Sequence, residues 1–217
     1  MSPTERSAAE PSEHYFAGEP GTPSQRRDVV LHLPDGQLAL STDRGVFSAD
    51  EVDVGTRYLL LDAPMPPVDR PLTIADVGCG YGPIALTLAR RCPQARVIAA
   101  DVNRRARELC RHNAERAGFG NVEVVAPEEV DPALRLDAIY ANPPIRIGKV
   151  ALHELLSGWL ERLHPNGYAV LVVHKHLGSD SLQAWLEQRG YRAVRLGSRL
   201  GYRLLEVRPR PAEEPLP

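Results

Sequence analysis

Leu72-Thr73-Ile74-Ala75-Asp76-Val77-Gly78-Cys79-Gly80-Tyr81-Gly82-Pro83 is the stretch that decides the fold. A short apolar run leads into three glycines at alternate positions, and a proline stands where a helix begins, the site at which proline is favoured. This reads as strand, tight turn and helix. Alternate glycines permit such a turn and let a ligand approach the backbone closely. One strand later Ile98-Ala99-Ala100 ends in Asp101, an acid placed to accept hydrogen bonds from a ribose diol.

Outward from this unit the pattern stays regular. Strands are expected at 72–77, 95–100, 122–126, 136–141, 168–174, 192–197 and 202–207, and helices at 83–91, 103–117, 150–163 and 180–189, with a weak turn near 128–134. Such alternation predicts an α/β fold built on a mostly parallel, doubly wound sheet. The last two strands are close enough in sequence to form an antiparallel pair. Before the core, 28–33 and 37–42 read as a hairpin around Pro34-Asp35-Gly36, followed by a helix over 54–61. The expected organisation is a disordered tail at 1–13, a hairpin and helix extension at 14–70 packed on the core, a main domain at 71–208 and a second disordered tail at 209–217.

A chain of 217 residues can bury a full core. It carries no apolar run long enough to span a membrane and no signal-peptide core at its start. Cys79, Cys92 and Cys110 are odd in number and lack CxxC spacing, which fits a reducing cytoplasm and argues against a disulfide framework or zinc site. His153, His174 and His176 lack supporting ligands, so no metal is expected. Net charge is −2, yet residues 189–210 hold seven arginines and one acid, Glu206. That is either an RNA-facing surface or a solvated one.

The glycine pattern GxGxG brings its third glycine one residue earlier than the dinucleotide fingerprint GxGxxG. Asp76 precedes it by two residues, and a carboxylate repels a pyrophosphate. It suits a cationic amino group, directly or through water, and S-adenosylmethionine offers that group and no phosphate. The expected cofactor residues are Asp76, Gly78, Cys79, Gly80, Tyr81, Gly82, Asp101, Val102 and Asn142. Glu128 is the candidate at the adenine edge, although no acid directly ends the third strand.

A second stretch supplies the chemistry. Leu136-Asp137-Ala138-Ile139-Tyr140-Ala141 reads as a buried strand, and Asn142-Pro143-Pro144-Ile145 ends it, because consecutive prolines cannot continue a ladder. Asn142 is thereby held at the carboxyl edge of the sheet, where ligands bind in open α/β folds. Its side-chain oxygen and the Pro143 carbonyl are acceptors that can grip a planar amino group. Phe47 and Ser48 either close over the site or, for Phe47, simply fill core. Arg146, Lys149 and Lys175 are candidates for holding phosphates.

Together the chain resembles the small-domain class I methyltransferases of ribosomal RNA, specifically the guanine-N2 methyltransferases of 16S RNA. The resemblance rests on 76–84, on Asp101-Val102-Asn103 and on Asn142-Pro143-Pro144-Ile145-Arg146. It extends to Thr42-Asp43-Arg44-Gly45-Val46-Phe47-Ser48, Val54-Gly55-Thr56-Arg57, Gly148-Lys149 and His153-Glu154. It implies a Rossmann-like seven-stranded sheet with the last strand antiparallel and S-adenosylmethionine as donor. It also implies a partner in ribosomal RNA or the small ribosomal subunit, with the catalytic set Asn142, Pro143, Pro144 and Ile145; oligomeric state stays open between monomer and homodimer. Longer members carry a degenerate duplicate domain for which this chain has no room, and many amine methyltransferases place an aromatic where Ile145 stands. Two alternatives remain: methylation of adenine N6 or a protein glutamine, and a non-catalytic RNA-binding or assembly protein that keeps the cofactor pocket.

Overall fold

The computed structural model describes residues 21–210. The expected tail at 1–13 lies outside the described residues, as does all but Pro209 and Arg210 of the expected tail at 209–217.

The core is a seven-stranded sheet. β3 (Thr73–Val77), β4 (Arg96–Ala100), β5 (Val122–Val125), β6 (Leu136–Ala141), β7 (Leu163–His174), β8 (Tyr191–Arg199) and β9 (Tyr202–Pro209) lie in the order β5-β4-β3-β6-β7-β9-β8. The first five are parallel, and β9 runs antiparallel between β7 and β8. Successive residues of each strand feed opposite faces, as a two-residue period requires. Ile74, Tyr140, Val170 and Val172 join the core under α1 (Val54–Asp62), α2 (Pro83–Arg91) and α3 (Arg104–Ala117). Ala75, Ile139, Leu171 and Val173 join the core under α4 (Lys149–Leu160) and α5 (Ser179–Gln188). Both faces are covered, so the central strands are predominantly apolar, with Asp76 of β3 a buried exception.

Two expectations shift. α4 ends at Leu160 and β7 starts early, at Leu163. Leu163 is buried and pairs with Leu136, Tyr168 pairs with Ala138, and the proline-containing residues 164–167 bulge out between them. The turn expected near 128–134 is present, as a 3-10 turn at Pro127–Glu129 and a second turn in which Leu134 N–H donates to Asp131 O (3.0 Å).

The N-terminal hairpin, β1 (Arg27–Leu33) with β2 (Gly36–Thr42), forms its own two-stranded sheet. It is docked by polar side chains as well as by Leu31 and Leu40. The fully buried Asn113 of α3 accepts from Ser41 N–H (2.7 Å) and donates to the carbonyls of Ser41 and Tyr81 (2.8 Å each). One side chain therefore joins β2, α3 and the glycine loop. Arg91 forks onto both oxygens of Asp35 (2.8 Å each) and also donates to Leu60 O, tying the hairpin turn to α1. Replacing Asn113 with Ala strands three buried backbone groups, so the Asn113→Ala protein is expected to lose about 3 kcal/mol in urea denaturation, the cost of orphaned polar groups rather than of lost volume.

Candidate active site

β3 and β6 are neighbours although β4 and β5 intervene in sequence. The strand order reverses between them, and the crevice outside their carboxyl ends is where ligands bind in such sheets. There a cavity of about 680 Å³ opens, its wall including Phe47, Gly80, Asp101, Asn142, Trp159 and Tyr202.

One half of the wall is the glycine loop. Gly78 and Gly80 have φ of 77° and 56°, and a Cβ on Gly80 meets nothing within 4 Å. The space above them is open, as a bound nucleoside needs. Gly82 differs: a Cβ there would lie 2.6 Å from Leu86 and 2.9 Å from the Cys110 sulfur, so it is a packing glycine, away from the cavity wall. Asp101 holds the loop, with one oxygen accepting from Gly80 N–H and the other from Asn103 N–H (2.8 Å each). Burial raises its pKa, and these two amides pull the other way. Each oxygen keeps a further lone pair for a diol.

Asp76 is fully buried and lies behind the wall rather than on it. Gly82 has no side chain to cap α2, and Asp76 Oδ2 does so from β3 by accepting from Ala85 N–H (2.9 Å). Its Oδ1 has no partner among the described residues. Of the two routes expected to an amino group, a bridged one fits this placement. Cys79, Tyr81 and Val102 line the cavity. Glu128 does not: the 3-10 turn begun by Pro127 leaves it exposed, and Pro127 is on the wall instead.

The other half is the end of β6. Asn142 Nδ2 donates to Asp53 Oδ2 (2.8 Å) and Thr56 Oγ1 (3.0 Å). A carboxylate only accepts, which fixes the amide orientation. Both N–H groups are used, so the group Asn142 presents to the cavity is its carbonyl. Asp53 is also the N-cap of α1, accepting from Thr56 N–H (2.9 Å). Tyr202 donates to its other oxygen (3.4 Å), and its ring packs against Gly55, where a Cβ would fall 2.5 Å from the ring. Beyond Asn142, Pro144 (φ −75°, ψ 75°) centres an inverse γ-turn in which Ile145 N–H donates to Pro143 O (2.8 Å). The Pro143 carbonyl, expected to be free, thus has one lone pair engaged and one remaining. Ile145 is part-buried against the α4 side and lines the cavity.

Phe47 is 47% exposed at the cavity, not core. Ser48 is beside it with φ of 53°, a left-handed conformation rare for serine. Their loop is fixed by Asn103, the N-cap of α3, which donates to Gly45 O (2.7 Å). Arg146 is on the exposed rim, Lys149 is exposed and off the wall, and Lys175 lines a separate pocket. Sequence reasoning missed Asp53, Thr56 and Tyr202, together with His174 and His176, which line the cavity. Asp53-x-x-Thr56 was readable as a helix start; its approach to Asn142, 89 positions away, was not.

An open glycine loop tied down by a buried acid, with an Asn-Pro-Pro turn beside it at the reversal of this strand order, is the arrangement of a class I methyltransferase. Residues 37–205 match the family model "Methyltransferase small domain". The chain belongs to that family. It is 34% identical over 200 residues to "Uncharacterized protein YbxB" of Bacillus subtilis (strain 168), covering 91% of this chain and 98% of that protein. It is 32% identical over 191 residues to "Ribosomal RNA small subunit methyltransferase C" of Stutzerimonas stutzeri (strain A1501), covering 81% of this chain and 56% of that protein. Thus it spans nearly all of the first and about half of the second. Among solved structures, the T. thermophilus 16S rRNA N2 G1207 methyltransferase in complex with AdoMet and guanosine superposes with a TM-score of 0.72 at 22% identity, over 87% of this chain and 52% of that one. That likeness shows the fold. The family's methyl donor is S-adenosylmethionine, and the open loop, Asp101 and the orphaned Asp76 oxygen fit it. Among the described residues no helix is long and apolar enough to cross a membrane.

Burial, aided by Asp101 and opposed by Ala85 N–H, pushes the Asp76 carboxyl from 3.8 up to about 8. The folded state therefore keeps a proton that the unfolded chain releases, and stability falls as pH rises between those values. Asp76→Asn keeps an acceptor for Ala85 and cannot ionise. In urea melts without donor, wild type is expected to lose stability relative to Asp76→Asn from about pH 5 to about pH 8.

Proposed function

We propose that this protein transfers a methyl group from S-adenosylmethionine to the exocyclic N2 amine of a guanine in ribosomal RNA of the small subunit. The observation that carries the reading is the orientation of Asn142, whose two N–H groups are taken by Asp53 and Thr56, so that what it can offer in the cavity shared with the cofactor loop is its carbonyl. An acceptor of that kind selects a substrate amine. The names of the small-subunit ribosomal RNA methyltransferases among its relatives support ribosomal RNA as the substrate.

Bound against the glycine loop, S-adenosylmethionine supplies an electrophilic methyl group. The protein's part is positioning, since a displacement of this kind needs an in-line approach. A guanine amine is a poor nucleophile because its lone pair is delocalised into the ring. Accepting its two N–H bonds at Asn142 Oδ1 and at the remaining lone pair of Pro143 O turns the nitrogen lone pair toward the methyl group. The same two dipoles stabilise positive charge developing on nitrogen. Ile145 presses on the base plane. Reaching a base in folded RNA calls for flipping it out, and Phe47, exposed at the cavity, is placed to close over it. Adenine N6 or a glutamine amide offers a similar amine, and the aliphatic Ile145 favours guanine over an acceptor held by aromatic stacking.

The test is to incubate the protein with labelled donor and 30S subunits, naked ribosomal RNA or cell protein, and to map the product. Label in guanine N2 is expected; label in adenine or protein overturns the assignment. Asn142→Ala is expected to keep donor affinity by calorimetry while turnover falls about 100-fold or more, the usual cost of a transition-state hydrogen-bonding group. Asp53→Ala releases the Asn142 amide from its fixed orientation. It is expected to lower turnover with donor affinity unchanged and to cost about 1 kcal/mol of stability through the lost helix cap.

A further inference from the structure

A second pocket, of about 290 Å³, lies beside the active site at the turn between β8 and β9. Its lining includes Lys175, Arg195, Ser198, Arg199 and Arg203, with no acid among the residues that form it. Tyr202 lines both this pocket and the active-site cavity, so the two share a wall.

The convergence of these side chains has a structural cause. Val173 pairs with Arg203 across β7 and β9, and Arg203 pairs with Ser198 across β9 and β8. Paired residues share a sheet face. Arg195 pairs with Leu205, which is two positions from Arg203 and therefore on the same face. Without an irregularity Arg195 and Ser198 would point to opposite faces. A register shift between Arg195 and Gly197 leaves Leu196 as the extra residue and brings them onto one face. Lys175 follows β7 directly, and its backbone N–H donates to Gly201 O (2.8 Å), fixing the chain beside the β8–β9 turn.

The charges are unequally balanced. Arg203 is paired with Asp180, and Arg199 lies 3.6 Å from Asp62. Arg208 is taken up by Glu206, and Arg189 lies over the Trp185 ring. Lys175 and Arg195 have no acid partner among the described residues, and both are exposed. Of the seven arginines at 189–210, Arg199, Arg203 and Arg208 have an acid partner, and the pocket next to the active site brings Arg195 together with Lys175 without one.

We infer that this pocket binds a backbone phosphate of the RNA next to the target nucleotide, with Lys175 and Arg195 as its charged ligands and Ser198 as a neutral donor. The inference rests on the RNA reading above. A phosphate takes charge-assisted bonds from a guanidinium and an ammonium together, and contacts of this kind set register without reading sequence. Held there, the strand has its neighbouring base at the mouth of the cavity, on the other side of Tyr202.

The experiment measures methylation of 16S RNA by wild type, Lys175→Ala, Arg195→Ala and the conservative Lys175→Arg over a range of salt concentrations. For each alanine variant, KM for RNA is expected to rise roughly five- to tenfold, and the salt dependence of log KM to flatten by about one phosphate contact. Saturated turnover and calorimetric donor affinity stay at wild-type values, and Lys175→Arg restores KM. Unchanged KM and salt slope in both alanine variants, with wild type active on RNA, overturn the phosphate pocket alone. Absence of RNA methylation by wild type that still binds donor overturns the functional reading beneath it. Loss of binding to an acidic protein from the cell extract, with RNA kinetics intact, assigns the pocket to a protein partner and overturns it as well.

Discussion

The bond from Asn142 Nδ2 to Asp53 carries more consequences than any other contact in the molecule. Asp53 accepts and cannot donate, so the Asn142 amide has one orientation and shows its oxygen to the cavity. The two residues come from different parts of the chain. Asn142 ends a central strand, and Asp53 caps the helix of the N-terminal extension. For the bond to form, the extension must be held at a fixed distance from the sheet. Asn113, Asn103 and Arg91 do this with directional bonds to the hairpin, to the Gly45 loop and to α1. The buried apolar residues supply most of the adhesion, but they do not specify position to a fraction of an ångström, and hydrogen bonds in a dry interface do.

The site is thus built from two strand ends with opposite electrical demands. At β3 a loop of open backbone is tied down by a buried carboxylate, Asp101, and backed by a second, Asp76, whose ionisation burial opposes. That environment favours a cationic ligand in the cavity. At β6 the neutral acceptor Asn142 is oriented by an acid, Asp53, that stands beside it on the same cavity wall. Positive charge stands farther out, on Arg146 at the rim and on Lys175 and Arg195 beyond Tyr202. The arrangement separates a region that suits a sulfonium donor from one that suits phosphates, within a single crevice of the sheet.

Much of this was readable from local pattern. The strand, glycine turn and proline-started helix at 72–91, the acid at 101 and the turn at 142–145 depend on residues within a few positions of one another, and steric preference decides such segments before any tertiary contact exists. The same holds for the strand alternation that made the sheet parallel and the last pair antiparallel. Boundaries failed where a distant partner intervened: Leu163 became strand because Leu136 needed a neighbour. Glu128 was expected at the cofactor by chain proximity, and the turn begun by Pro127 left it exposed.

By itself the sequence determined the α/β class, the glycine turn after β3 and the proline turn that ends β6, because each is encoded in short-range spacing and backbone restriction. Only the tertiary structure decided which atom of Asn142 faces the cavity, that Gly82 packs while Gly80 stays open, and that Phe47 is exposed rather than core. The pairing of Arg199, Arg203 and Arg208 with acids, beside a pocket where Lys175 and Arg195 have none among the described residues, was decided there too. These are questions of which side chains meet in the folded chain, as Asn142 and Asp53 do across 89 positions, and backbone preference does not contain the answer.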